Sequence, residues 1–196
     1  MIDFGIYHNS TREQSEKLRG NAEQVFTVLF QRTGVDRSSH LMILDVGCGL
    51  GFLSYVAAKY FPNADILGID TFSHESLEQS SIVKAKRNME LLGLSDRVEF
   101  KRVNILGMSE TLGRFDLAIS NLVFHNLGER RFDAYQRVRD ILKADSFFIN
   151  GDLFWNEQSF IQDNDKVKGF DLIYYVNPRL SNNSPLYYVS LYRKKT

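Results

Sequence analysis

Apolar residues near the start of the chain fall at Leu18, Ala22, Val25, Phe26, Leu29 and Phe30, the i, i+3, i+4 spacing of one helix face. Ser10 or Thr11 can cap this helix, Glu13 or Gln14 stands three residues on, and Gly34 ends it. Beyond Gly34 the period changes. Leu41 to Val46 is a short apolar run broken only by Asp45, and a glycine loop leads into a helical Phe52 to Phe61 that Pro62 closes. Asp65 to Asp70 reads as a strand, Glu75 to Leu92 as a helix stopped by Gly93, and Arg97 to Val103 as a strand with Val98, Phe100 and Val103 apolar. Phe115 to Ser120 follows as a strand, Arg130 to Leu142 as a helix and Phe147 to Asn150 as a strand. Strands alternating with helices of this length predict parallel βαβ units with right-handed crossovers. The expected fold is α/β, a doubly wound, mostly parallel sheet with helices on both faces. At the end, Gly169 to Val176 and Leu186 to Tyr192 are aromatic-rich runs joined by Asn177 to Pro185, a turn-forming stretch of Asn, Ser and Pro. They are expected to pair as an antiparallel hairpin at one sheet edge.

Composition narrows this to one domain, residues 1–196, with 1–34 as an N-terminal helical or lid extension. A chain of 196 residues is long enough for one core and too short for two ordinary domains plus a linker. Lysine plus arginine equals aspartate plus glutamate, at 24 each, so no global field draws the protein to nucleic acid or an anionic membrane. A single cysteine, Cys48, excludes an intramolecular disulfide, and four histidines without a second thiol offer no zinc-type cluster. The opening residues show neither a basic n-region nor an apolar h-region, and no apolar run is long enough to span a bilayer. A cytoplasmic setting is expected, with no membrane, and the oligomeric state is left open.

Candidate chemistry concentrates in Leu44-Asp45-Val46-Gly47-Cys48-Gly49-Leu50-Gly51, at the carboxyl end of the first predicted parallel strand, where open α/β sheets bind ligands. Glycines permit a tight turn and a close approach of backbone amides to a ligand, and the start of the following helix favours an anion. The dinucleotide fingerprint fails in both registers, because its sixth position is Phe52 counted from Gly47 and Ser54 counted from Gly49. Asp70 ends the second strand, 19 residues past Gly51, where a carboxylate can accept from both hydroxyls of a ribose.

The run D-x-G-x-G-x-G, set between strand and helix, resembles motif I of class I S-adenosylmethionine (SAM)-dependent methyltransferases, and Gly68-Ile69-Asp70 looks like motif II. The resemblance extends over about Leu41 to Asp152. Leu94 to Phe100 looks like the approach to the third strand, Asn104-Ile105 matches the adenine contact, and Phe115 to Leu122 resembles the fourth strand and motif IV. Members often carry aspartate where Asn104 stands, and Leu142 to Ser146 replaces their L-K-P-G-G turn. The resemblance implies SAM as cofactor. It places Asp45, Gly47, Cys48, Gly49 and Gly51 around the methionyl part, Asp70 and Thr71 at the ribose, Asn104 and Ile105 at the adenine, and Asn121 beside the cofactor. Asp45 is expected to favour the ammonium directly or through water; its structural alternative is to cap its own loop. No metal is implied.

Methyl transfer is an in-line displacement that an enzyme can promote largely by alignment. An acceptor hydroxyl or ammonium must also lose a proton, which points to the loop after the fourth strand. There His125 is the candidate base and Asn121 the candidate orienting residue; the alternative for His125 is packing or capping the next helix. His8 could belong to an N-terminal lid, an unstructured terminus being the competing expectation, while His40 and His74 fall in surface connections. Motif IV reads Asn121-Leu122-Val123-Phe124 without the paired prolines common in enzymes that methylate planar amines, which favours a small-molecule acceptor. Phe154, Trp155, Tyr174 and Tyr175 could wall its pocket, core packing being their default. Basic clusters at Lys84-Lys86-Arg87, Lys101-Arg102, Arg130-Arg131 and Arg193-Lys194-Lys195 keep RNA as an alternative acceptor, beside protein. A non-catalytic SAM-binding partner subunit is the remaining alternative.

Overall fold

The structure, a computed structural model, describes residues 1–73, 77, 80–178 and 185–196. Seven strands form one sheet: β1 (Met42–Val46), β2 (Asp65–Asp70), β3 (Val98–Arg102), β4 (Phe115–Asn121), β5 (Leu142–Phe154), β6 (Phe170–Val176) and β7 (Leu186–Lys194). Their order is β3-β2-β1-β4-β5-β7-β6. The first five run parallel; β7 pairs antiparallel with both β5 and β6. The strand order reverses between β1 and β4, and that reversal opens a crevice at their carboxyl ends.

Among the described residues five α-helices cover the sheet: α1 (Arg12–Arg32), α2 (Phe52–Tyr60), α3 (Ile82–Leu92), α4 (Arg131–Ile141) and α5 (Glu157–Lys166). Phe26, Leu29 and Phe30 of α1 join Val56 and Ala57 of α2 and Ala85 and Met89 of α3 in one core, against Ile43, Leu117, Ile119 and Ile149. On the other face Ala134, Val138 and Ile141 of α4 pack on Leu44, Ala118 and Phe148. Neighbouring residues of one strand thus enter opposite cores, as the two-residue repeat of a strand requires. Each fully buried Phe or Leu contributes roughly 2 kcal/mol of transfer free energy.

Several boundaries differ from expectation. Thr11 caps α1, and its side chain and that of Gln14 close a reciprocal capping box. Helix α3 as described runs from Ile82, where the Ser81 hydroxyl caps it by accepting from the Lys84 N–H. Residues 75, 76, 78 and 79 of the expected helix, His74 before it, and 179–184 of the terminal connection lie outside the described residues. Strand β5 is longer than expected. Phe115 pairs with Leu142 and Leu117 with Phe147, so 143–146 bulge out with Asp145 at φ 57°, and the strand continues to Phe154. Helix α5 carries one buried side chain, Phe160, too weak a periodic signal to be read; Asn156 and Ser159 box its start.

Candidate functional site

The glycine turn and Asp70 meet. Gly47 and Cys48 donate their N–H groups to the Ile69 carbonyl at 2.7 and 3.1 Å, and Gly49 N–H donates to Asp70 Oδ2 at 2.9 Å. Phe72 N–H donates to the other oxygen at 2.6 Å. Two backbone donors therefore orient the carboxylate at the mouth of the crevice while each oxygen keeps a lone pair for a further donor. Gly47, Gly49 and Gly51 all lie at positive φ, which accounts for glycine at each. At Gly47 the space is also needed: a Cβ there would lie 2.2 Å from a Val123 methyl, so the loop after β4 rests on the turn. The convergence of a glycine turn and an oriented carboxylate fits a ribose with a short polar tail, as the sequence resemblance implies.

Asp45 lies under the turn. It is 1% exposed, and the Ser54 hydroxyl donates to Asp45 Oδ2 at 2.6 Å. Its carboxyl ties the base of the turn to the first turn of α2. Burial raises its pKa to about 7; the Ser54 hydrogen bond opposes the rise and the nearby Asp70 charge adds to it. The carboxyl of this turn is therefore half-protonated near neutrality, and a cation in the crevice acts on it through space. Cys48 is buried, and burial pushes its thiol well above the usual range, so it is inert packing against Gly68.

On the far side, Asn104 Oδ1 accepts from Leu106 N–H at 2.9 Å, capping a short 3₁₀ turn over Ile105–Gly107. That oxygen takes one backbone donor and keeps its second lone pair. Ile105 is buried in the α4-side core. The Thr71 hydroxyl pairs with Ser73 at 2.9 Å, and its carbonyl accepts from Arg102.

Strand parity separates the two residues proposed to act on the acceptor. Asn121 pairs with Gly151, and both face α1: Tyr187 donates its hydroxyl to Asn121 Oδ1 at 2.6 Å. Asp152, the next residue along β5, faces α4. Leu122 carries the chain across the strand end at φ 61°, its N–H donating to the Gly151 carbonyl at 2.7 Å. Three residues later His125 meets Asp152, Nδ1 to Oδ1 at 2.5 Å, and its backbone N–H donates to Oδ2 at 3.0 Å. Asp152 is buried and His125 partly exposed. The carboxylate fixes the Nδ1–H tautomer, which directs Nε2 outward as a proton acceptor. Beside the pair lies a hollow of about 230 Å³ lined by Phe124, Tyr135, Phe154, Trp155 and the bidentate Arg131–Asp163 ion pair. Trp155 is 72% exposed there. Tyr174 and Tyr175 are absent from this lining; Tyr174 stacks under Arg32 and Tyr175 packs on Phe160. A larger hollow, about 340 Å³, sits at the amino ends of β1 to β4, the end at which such sheets bind nothing.

The N-terminus is ordered. Asn88 accepts from Asp3 N–H and donates to the Asp3 and Leu50 carbonyls, Ser15 Oγ accepts from Tyr7 N–H, and Tyr7 pairs with Leu77. Residues 3–7 thus form a strap across the glycine turn, with Gly5 packed on Leu50 and Leu77. Asp152 and Tyr187 escaped the sequence reading. The first lies one pleat past the expected end of its strand, and the tyrosine carries no motif.

Comparison with known proteins places this geometry. Residues 37–175 match a family described as methyltransferase domain. The ribosomal protein L11 methyltransferase of Oceanobacillus iheyensis is 29% identical over 133 residues, 67% of this chain and 38% of that protein. The tRNA1(Val) (adenine(37)-N6)-methyltransferase of Vibrio cholerae is 34% identical over 87 residues, 44% of this chain and 33% of that protein. The chain thus spans well under half the length of these curated relatives. Among solved structures, the [4+2]-cyclase SpnF superposes with a TM-score of 0.72 at 16% identity, covering 100% of this chain and 88% of that one.

Proposed function

The chain belongs to the methyltransferase domain family, whose class I members use SAM, and on that premise we propose that it transfers a methyl group from SAM to an oxygen or nitrogen of a small molecule. The observation that carries the acceptor reading is the His125–Asp152 pair beside its aromatic-walled hollow. SAM would supply there a methyl on a cationic sulfur: a new bond from the acceptor's lone pair to the methyl carbon would form as the carbon–sulfur bond breaks, its electron pair staying on sulfur in the neutral thioether that leaves. Asp70 would hold the ribose and the turn from Gly47 to Gly51 the methionyl part, with Asp45 beneath. Asp152 holds the His125 ring, and Nε2 receives the proton that the acceptor gives up as its new bond forms. Phe154 and Trp155 flank the acceptor and exclude water. A hollow near 230 Å³ suits one ring-sized group.

RNA is the second reading, favoured by the tRNA enzyme among the relatives and by the exposed Trp155, a platform on which a base could stack. One screen separates them. The chain is incubated with labelled SAM and either a panel of hydroxylated and amino-bearing aromatic metabolites or bulk RNA at two salt concentrations. Label in a metabolite, lost in His125→Gln, supports the first reading. Label in RNA alone, with steeply salt-dependent binding, replaces it.

A further inference from the structure

We propose that Arg19 of α1 receives the carboxylate of the cofactor's amino-acid tail, an inference that rests on the SAM reading above. Arg19 is 7% exposed, yet among the described residues no aspartate or glutamate lies within ion-pair distance of it. Its Nη1 donates to the Gly5 carbonyl at 3.0 Å and to the Phe4 carbonyl at 3.5 Å, and its guanidinium stands over the Tyr7 ring, 5.4 Å from the centroid. Backbone carbonyls and an aromatic face are partial charges, and a buried guanidinium without a counter-ion is expensive to keep. The planar fork of nitrogens is the group best matched to a carboxylate.

The position of Arg19 says which carboxylate. The sheet order β2-β1-β4 sets a direction along the crevice. Asp70 marks its β2 end, the glycine turn its middle, and Asn121 its β4 end. Arg19 stands over the Tyr7 ring, and Phe26, two turns further along α1, lies against Gly151, the sheet partner of Asn121. Arg19 therefore faces the β4 end from the α1 side, opposite the ribose site. A nucleoside bound through Asp70 must extend its tail toward that end, where the only buried cation lacking an acid among the described residues waits. The ligand's carboxylate would complete the pair and, through the Gly5 carbonyl, fasten the strap over the turn.

Calorimetry on the full chain with two ligands tests this without turnover: S-adenosylhomocysteine, which keeps the tail, and 5′-methylthioadenosine, which lacks it. Arg19→Gln keeps a polar amide donor but carries no charge, and Arg19→Lys restores a cation without the fork. The expected result is a loss of roughly 30-fold for S-adenosylhomocysteine in Arg19→Gln, a smaller loss in Arg19→Lys, and a change within about twofold for 5′-methylthioadenosine. Equal losses for both ligands would show that Arg19 only anchors the strap, and unchanged affinity would remove it from the site; either overturns the proposal. Failure of the unaltered chain to bind either nucleoside would instead overturn the SAM reading and this inference with it.

Discussion

Replacing Asp45 by asparagine should change how the stability of this protein depends on pH. In the unfolded chain the carboxyl titrates near 3.8; in the folded protein burial raises it to about 7. Between those values the native state holds a proton that the unfolded state has lost, so stability falls as pH rises through that window. The shift is 7 − 3.8 ≈ 3.2, worth about 4 kcal/mol at about 1.36 kcal/mol per unit. The penalty is absent below the unfolded value and complete above the folded one. An asparagine side chain carries none of it, while its amide oxygen can still accept from Ser54. Urea unfolding of both proteins at half-unit steps from pH 4 to 8 isolates the effect, because all other titrations cancel in the difference. Asp45→Asn should match the parent near pH 4 and gain on it by about 1.4 kcal/mol per pH unit to near pH 7. A difference that stays constant across this range would refute the assignment of a raised pKa and the buried, solvent-free setting on which it rests.

The same group should report on ligand charge. At pH 6 a carboxyl with pKa about 7 is protonated in about ten molecules of eleven. A sulfonium bound in the crevice favours the ionised form, so SAM binding should release more protons than binding of the uncharged-sulfur product. Calorimetry in buffers of different ionisation enthalpy counts those protons, and Asp45→Asn should abolish the difference between the two ligands.

Other outcomes follow from the crevice. Asp70→Ala removes a charged acceptor for two ribose hydroxyls, about 3 kcal/mol, and calorimetry should record a roughly 100-fold weaker fit for S-adenosylhomocysteine and 5′-methylthioadenosine alike. Unchanged affinity would place the ribose elsewhere. Asp152→Asn leaves the His125 ring without the carboxylate that fixes its tautomer, so kcat on a proton-losing acceptor should fall by roughly 100-fold or more, with the affinity for S-adenosylhomocysteine within about twofold of the parent. Equal kcat in Asp152→Asn and the parent would show that alignment alone carries the reaction.

The scaffold was legible where one local rule acts alone. Strand β2 matches its expected bounds because an apolar run flanked by turns admits few alternatives, and Thr11 with Gln14 needs only neighbouring backbone. The glycine turn and Asp70 meet as their spacing implied. What stayed hidden depends on contacts between distant segments. Asp152 acts because β5 runs past Asn150, which the pairing with β7 as far as Phe154 enforces. Asp45 turns under the helix because Ser54, nine residues on, offers a hydroxyl there. Arg19 belongs to no motif, and it is the strap folded over it that accepts its hydrogen bonds.

Strand parity carries a consequence for how an acceptor must enter. Asn121 and Gly151 face the α1 side, where Tyr7, Tyr187 and Arg19 gather, while Asp152 holds His125 on the α4 side. The strap closes the first side through Asn88 and Ser15, whereas the second opens into the hollow at Trp155. Cofactor and acceptor on this reading approach from opposite faces of the sheet and meet over the ends of β4 and β5. The segment from Leu122 to His125 is the only described chain that spans both faces at that point, and its left-handed residue, which costs about 1 to 3 kcal/mol, makes the crossing in one step. Val123 touches Gly47 two residues before His125. The cofactor turn and the segment that carries the candidate base are therefore in direct contact.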